Sequence, residues 1–136
     1  MKMMLLLLVL AASHVFAHGE NKPGPHGGHI RMPGAFHTEL VLDSQSAKVY
    51  LLDIRFSNPV TENSKVDLVL NAQDKNKEIS CVKKQDYFEC PLPSKLTHIP
   101  EIKLKAVRNG VTGKEARYPL PLSFPQTKAP NTHHNH

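Results

Sequence analysis

The chain has 136 residues, about a fifth of them charged, which is the size and composition of one globular domain. Seventeen Lys and Arg against twelve Asp and Glu give a formal charge of +5. The basic residues form no dense run, so we expect no nucleic-acid partner. Nine histidines exceed what a small core requires, and they are the first feature to explain.

Residues 1–17 have the pattern of an export signal. A lysine near the start precedes a short apolar run over 5–12, and a small-residue cleavage site ends at Ala17. The run is shorter than the roughly 20 residues of a membrane-spanning helix. We therefore expect cleavage before His18 and an exported protein, periplasmic or secreted, with no membrane span after cleavage.

The next segment, residues 18–28, is rich in Pro, Gly and His and is predicted to be a flexible arm. It carries His18 and His26. If cleavage exposes His18, its α-amine and its imidazole can lose their protons to the same metal ion near neutral pH. The arm could then fold over a neighbouring polar surface and close a cation site.

A hairpin is predicted around the three-residue turn Pro33-Gly34-Ala35. Its two strands are expected over His29–Met32 and Phe36–Asp43. The apolar alternation favours the register that sets His29 opposite Glu39 and Arg31 opposite His37. The residues of the expected core face are Ile30, Met32, Phe36, Leu40 and Leu42.

The opposite face of this hairpin would be polar, with two imidazoles and one carboxylate on neighbouring strands. His29, His37 and Glu39 could share one ion, and imidazole suits copper, zinc and nickel. A plain alternative stays open at this point. The same face could simply be solvated, with an ion pair between Arg31 and Glu39 worth under about 1 kcal/mol.

Short apolar or alternating runs separated by turn residues predict further strands. No helical stripe occurs outside the export signal. The whole pattern predicts an all-β fold, a single immunoglobulin-like β-sandwich of about seven to eight strands over 29–124. The remaining expected strands are Lys48–Ile54, Val66–Asn71, Ile79–Lys84, Tyr87–Leu92, Glu101–Arg108 and Lys114–Leu122.

The two cysteines, Cys81 and Cys90, are expected to form a disulfide in an oxidising compartment. A tight turn at Gln85 and Asp86 would place them opposite each other on neighbouring strands. We therefore predict a buried cross-hairpin bridge that contributes roughly 2 to 3 kcal/mol.

Residues 125–136 are predicted to form a disordered, His-rich tail. It carries His133, His134 and His136, and such clusters can capture metal ions with modest affinity. His98 precedes Ile99-Pro100 and is expected to be an exposed loop residue, although it is a further candidate ligand.

Residues 24–28 spell Gly-Pro-His-Gly-Gly and are followed by Ala-Phe-His-Thr-Glu-Leu at 35–40 and Val-Tyr-Leu at 49–51. This arrangement resembles the β-domain that begins the periplasmic adaptor subunits of heavy-metal efflux pumps and that also occurs in small free-standing exported proteins. Tyr87-Phe88, residues 96–100 and Gly113-Lys114 match the later pattern of that family. The resemblance implies an envelope protein associated with copper, zinc or similar cations.

The sequence therefore predicts a protein that binds copper or zinc, for metal buffering in the periplasm or delivery to a heavy-metal efflux component. No Gly-x-Ser-x-Gly, His-Glu-x-x-His or phosphate-binding loop is found, so we expect no enzyme. A second interpretation stays open. The chain could be a structural or protein-binding β-sandwich of the envelope whose histidines are incidental.

Overall fold

The computed structural model describes residues 21–72, 75–93 and 95–125. All regular secondary structure in these residues is β-strand, which confirms the all-β prediction. The strands are β1 (His29–Arg31), β2 (His37–Leu42), β3 (Ser46–Leu52), β4 (Lys65–Asn71), β5 (Asn76–Ser80), β6 (Val82–Lys83), β7 (Phe88–Pro91), β8 (Glu101–Arg108), β9 (Val111–Thr112) and β10 (Ala116–Pro119).

The strands form two antiparallel sheets. The first sheet has the order β1-β2-β3-β7-β6, and the second has the order β10-β8-β4-β5 with β9 added to β8. Two of the strands, β6 and β9, have only two residues each. These short strands bring the number in the described residues above the predicted seven to eight.

The two sheets share one hydrophobic core. Alternate side chains of each strand point inward, as a period of two requires, so that Val49 and Leu51 of β3 share the core with Ile102 and Leu104 of β8. Tyr118 of β10 connects the sheets through a polar contact as well, because its hydroxyl group donates to the backbone oxygen of Thr38 on β2 at 3.2 Å.

The predicted register of the first hairpin is wrong by one residue. His29 lies opposite Leu40, and Ile30 lies opposite Glu39. The last pair of this ladder is Arg31 with Thr38, so residues 32–37 connect the paired positions. Compared with the predicted three-residue turn, the connection is longer by one residue on the β1 side and by two on the β2 side, and this asymmetry shifts the pairing. Ile30 consequently shares the outer side of the sheet with Glu39, whereas His29 shares the inner side with Leu40. Met32, a predicted core residue, is 47% exposed.

The cysteine hairpin has the predicted register and the predicted disulfide. Val82 lies opposite Glu89, and one step further along the same pairing a disulfide joins Cys81 to Cys90. The predicted single strand over 79–84 is divided, however. Its first part belongs to β5 in the second sheet and its last part to β6 in the first, so the chain passes from one sheet to the other at Cys81. Cys90 is fully buried and Cys81 is partly buried.

The strand Glu101–Arg108 has the predicted bounds, whereas the last predicted strand, Lys114–Leu122, shortens to β10. Beyond β10, residues 120–125 leave the sheet, and the ring of Phe124 stacks on His29. Within the described ranges, no helix is long and apolar enough to cross a membrane.

Candidate functional site

Glu39 lies on β2 and is fully buried on the outer side of the first sheet. Its Oε1 accepts hydrogen bonds from the backbone N–H groups of His26 at 2.8 Å and Gly28 at 3.0 Å. Its Oε2 lies 2.7 Å from Nδ1 of His26. A buried carboxylate needs such charge-assisted partners to offset its lost hydration. The Gly-Pro-His-Gly-Gly segment therefore forms a turn whose centre is the Glu39 carboxyl group.

The glycines of this turn are explained by how closely the backbone approaches the sheet. The N–H of Gly27 donates to the oxygen of Gly24 at 2.9 Å, and Gly27 has a φ of 77°, which favours glycine. A Cβ on Gly28 would lie 2.6 Å from the backbone oxygen of Leu40. A Cβ on Gly24 would collide with the carboxyl group of Glu39.

His26 is held on two sides. Its ring stacks on Tyr50 of β3, with the centroids 3.6 Å apart and the planes 4° from parallel. With the Glu39 oxygen as acceptor, we assign a ring proton to Nδ1, and in this neutral tautomer of the imidazole the lone pair lies on Nε2. The side chain remains 34% exposed. The imidazole is thus fixed in orientation and still reachable from solvent.

His37 does not lie on a solvated face, so the solvated alternative does not hold at this residue. Its side chain is buried, its Nδ1 lies 2.9 Å from the backbone oxygen of Asp53, and its ring stacks on Phe56 with the centroids 4.1 Å apart. The outer side of the sheet is covered by the turn over Glu39 and by the loop that follows β3. These two segments remove both His37 and Glu39 from solvent.

The loop after β3 is ordered by the side chain of Asp53. Its Oδ1 accepts the N–H groups of Ser57 and Arg55 at 2.9 Å each, and its Oδ2 accepts from the amide of Asn58 at 2.7 Å. The bond from Ser57, followed by those from Asn58 and Arg55, lowers the pKa of Asp53 below its usual value. Phe56 has a φ of 61°, uncommon for a bulky residue, and this turns its ring toward His37.

His29 lies on the inner side of β1 and is therefore separated from Glu39. Its ring is parallel to that of Phe124, with the centroids 4.0 Å apart. Burial, and then the positive charge of Arg31, lower the pKa of His29. Arg31 itself donates from Nε to the backbone oxygen of Arg117 at 2.9 Å and lies 4.8 Å from the ring centre of Tyr118. The alternative ion pair between Arg31 and Glu39 does not form.

The structure thus brings together only part of the predicted ligand set. His26 and Glu39 are in contact, His29 and His37 each have other partners, and His98 is exposed in the segment before β8. In residues 21–72, 75–93 and 95–125, no three His, Cys, Asp or Glu side chains are grouped to hold a metal ion. The predicted export signal and four candidate ligands lie outside the described residues: His18, His133, His134 and His136.

Two features of the surface were missed by sequence reasoning. One is Tyr50, the stacking partner of His26, whose place opposite Glu39 in the β2–β3 pairing depends on a strand register that was not predicted. The other is a cleft of about 580 Å³ at one end of the sheets. Its lining residues come from segments that are far apart in the sequence. Within any one segment, the apolar run Leu120-Pro121-Leu122 beyond the last strand was the only feature that pointed to it.

No protein-family model, curated protein or solved structure matches this chain.

Proposed function

We propose that the chain is an exported protein that binds a copper-like or zinc-like cation, with Nε2 of His26 as its anchored ligand. The supporting observation is the 2.7 Å contact between Nδ1 of His26 and the buried carboxyl group of Glu39. Histidine ligands of metals almost always donate their second ring N–H to a carboxylate, a carbonyl or water, which fixes the tautomer and raises the basicity of the ligating nitrogen. His26 has this arrangement together with partial exposure.

One imidazole is too few donors for tight binding, since zinc sites use about four ligands. In this proposal the other donors are the histidines outside the described residues, namely His18, His133, His134 and His136. If the predicted disorder of residues 125–136 holds, ordering these residues on binding costs conformational entropy and lowers the affinity. That property suits periplasmic buffering or delivery to an efflux component, and the role is binding and not catalysis.

We also infer an immunoglobulin-like β-sandwich as the finer description of the fold. It is supported by the two antiparallel sheets with one shared core, by the passage of the chain between sheets at Cys81, and by the resemblance of residues 24–28 to the periplasmic β-domain.

A second candidate function is an envelope interaction module with structural histidines. It is favoured by a specific observation, because His26, His29 and His37 each stack on an aromatic ring within the chain. The absence of a grouped ligand set in the described residues points the same way. Metal titration separates this candidate from the first.

The test compares two substitutions in protein that begins at His18. In competition titrations with Cu²⁺ and Zn²⁺, His26→Gln should weaken the affinity by at least about tenfold, since losing only the hydrogen-bonding partner of a ligand already costs about tenfold or more. His98→Gln removes an exposed imidazole without a carboxyl partner and should leave the affinity unchanged. Unfolding curves of both variants check that the fold is retained.

Two results would favour the interaction module. One is equal affinity for the unaltered protein and the His26→Gln variant. The other is an affinity no tighter than that of a free peptide spanning residues 131–136, which would show that the tail alone accounts for binding. A variant ending at Pro125 completes the comparison, because it should lose affinity only if the tail supplies donors.

A further inference from the structure

A cleft of about 580 Å³ opens between the two sheets at the end where β2 and β10 finish. Its apolar walls include Leu40 and Leu42 of β2 and Leu120 and Leu122 beyond β10. Leu96, Thr97 and Ile99, from the segment before β8, also line it. The volume is within the range of roughly 300 to 1,000 Å³ that is usual for pockets that bind small molecules.

The residues that line the cleft range from buried apolar to exposed polar. Leu40 is fully buried, whereas Thr97 is exposed and His29 is half-buried, and we call the part of the cleft at these two polar residues its mouth. His29 and Thr97 have the only side chains among the described lining residues that are able to form hydrogen bonds, and none of those residues is Asp, Glu, Lys or Arg. The ring of His29 is itself stacked on Phe124.

We propose that this cleft binds a small amphipathic molecule whose apolar part contacts the leucines and whose uncharged polar end hydrogen-bonds with His29 and Thr97. The apolar walls favour burial of a hydrocarbon portion. A charged end group would lose hydration at the mouth and find no side chain of opposite charge among the lining residues.

Once residues 1–17 are removed, as proposed above, the rest of the chain outside the described residues offers no apolar segment to fill the cleft. Residues 18–20 and 126–136 contain no Leu, Ile, Val, Met, Phe or Tyr. A second copy is a poor match as well, because the exposed large hydrophobic residues of the described chain stand on four different elements or connections. These residues are Met32, Ile54, Val82 and Val111. A separate small molecule is the occupant that fits the walls.

The experiment uses three eight-carbon probes that differ only in their polar end: octan-1-ol, octanoate and octylammonium. Each is titrated into the mature protein in the presence of a chelator, so that the outcome is independent of the metal proposal. Octan-1-ol should bind saturably, and the two charged probes should bind about tenfold more weakly because of the unpaired charge. Methyl signals of Leu42, Leu120 and Leu122 should shift in nuclear magnetic resonance spectra.

Two threonine substitutions locate the site. Thr97→Trp fills the mouth and should weaken octan-1-ol binding by about tenfold or more, the loss expected when apolar contact is blocked. Thr112→Trp places the same ring on an equally exposed threonine of β9, away from the cleft, and should leave binding unchanged. The proposal is overturned if octan-1-ol shows no saturable binding, if Thr97→Trp binds like the unaltered protein, or if a charged probe binds as tightly as the alcohol.

Discussion

The burial of Glu39 is the residue-scale fact that organises the candidate site. A lone buried carboxylate is costly, and here three N–H groups directed at its two oxygens offset that cost. Two of these groups belong to His26 and one belongs to Gly28. In the described residues, no buried side-chain nitrogen or oxygen atom lacks a hydrogen-bond partner. The Glu39 contacts therefore position His26 and also complete the polar pairing of the interior.

His29 provides a pH prediction. Burial and the charge of Arg31 lower its pKa in the folded protein below the ordinary value of 6.5. His29 therefore binds a proton at a higher pH in the unfolded chain than in the folded protein. As a result, the folded state loses stability as the pH falls from 6.5 toward the lowered pKa. Above pH 6.5 the neutral imidazole imposes no such cost.

The measurement is the free energy of unfolding in urea at about pH 7.5 and about pH 5, chosen to span that window. The unaltered protein should lose more stability between the two values than the His29→Gln variant. If the two proteins lose the same stability, the local environment of His29 does not disfavour its charge.

At the scale of elements, the turn over Glu39 and the loop after β3 cover the outer side of the first sheet and bury the side chains beneath them. Both are short segments held by hydrogen bonds to a single carboxyl side chain, Glu39 for the turn and Asp53 for the loop. The strand β2 is consequently buried on both sides over His37–Leu40. This explains why its polar residues are ordered and not solvated.

Two glycines test the importance of the turn. Gly28→Ala should lower the free energy of unfolding by about 1 to 3 kcal/mol, because the added Cβ would meet the backbone oxygen of Leu40 at 2.6 Å. Gly34→Ala is the matched control, since the nearest atom to its Cβ would be 3.9 Å away. Its effect should stay within about 0.5 kcal/mol. Urea unfolding measures the stability of both variants. Equal effects would show that the turn does not depend on the close approach of Gly28 to the backbone of Leu40.

At the scale of the whole molecule, the two sheets are connected by covalent and polar links as well as by the core. Tyr118 reaches from β10 to Thr38 on β2. Arg108 reaches from β8 to the backbone oxygen of Leu51 on β3 at 3.2 Å. The disulfide lies at Cys81, where the chain passes from β5 to β6.

The disulfide prediction belongs to this scale. Replacing both cysteines by serine should lower the free energy of unfolding by roughly 2 to 3 kcal/mol, because the bridge closes a short loop and restricts the unfolded chain. A reducing agent should destabilise the unaltered protein by a similar amount and leave the double variant unaffected. Unchanged stability of the double variant would contradict this account.

The sequence determined the strand pattern, since alternation and turn residues act over a few neighbouring positions. This is why β8 has the predicted bounds and why the cysteine hairpin has the predicted register and disulfide. His26 and Glu39 were also both identified as candidate site residues. Their direct contact was not predicted, because it depends on the path of the chain over the sheet.

Only the tertiary structure decided which polar residues face solvent. Glu39 and His37 look like surface residues in their own strand, and they are buried because the turn at 24–28 and the loop at 53–58 return to cover them. The cleft likewise exists only where β2, the segment 96–99 and the chain beyond β10 meet. Burial depends on contacts with segments that are distant in sequence. A local pattern does not show which of those segments will pack against a given residue.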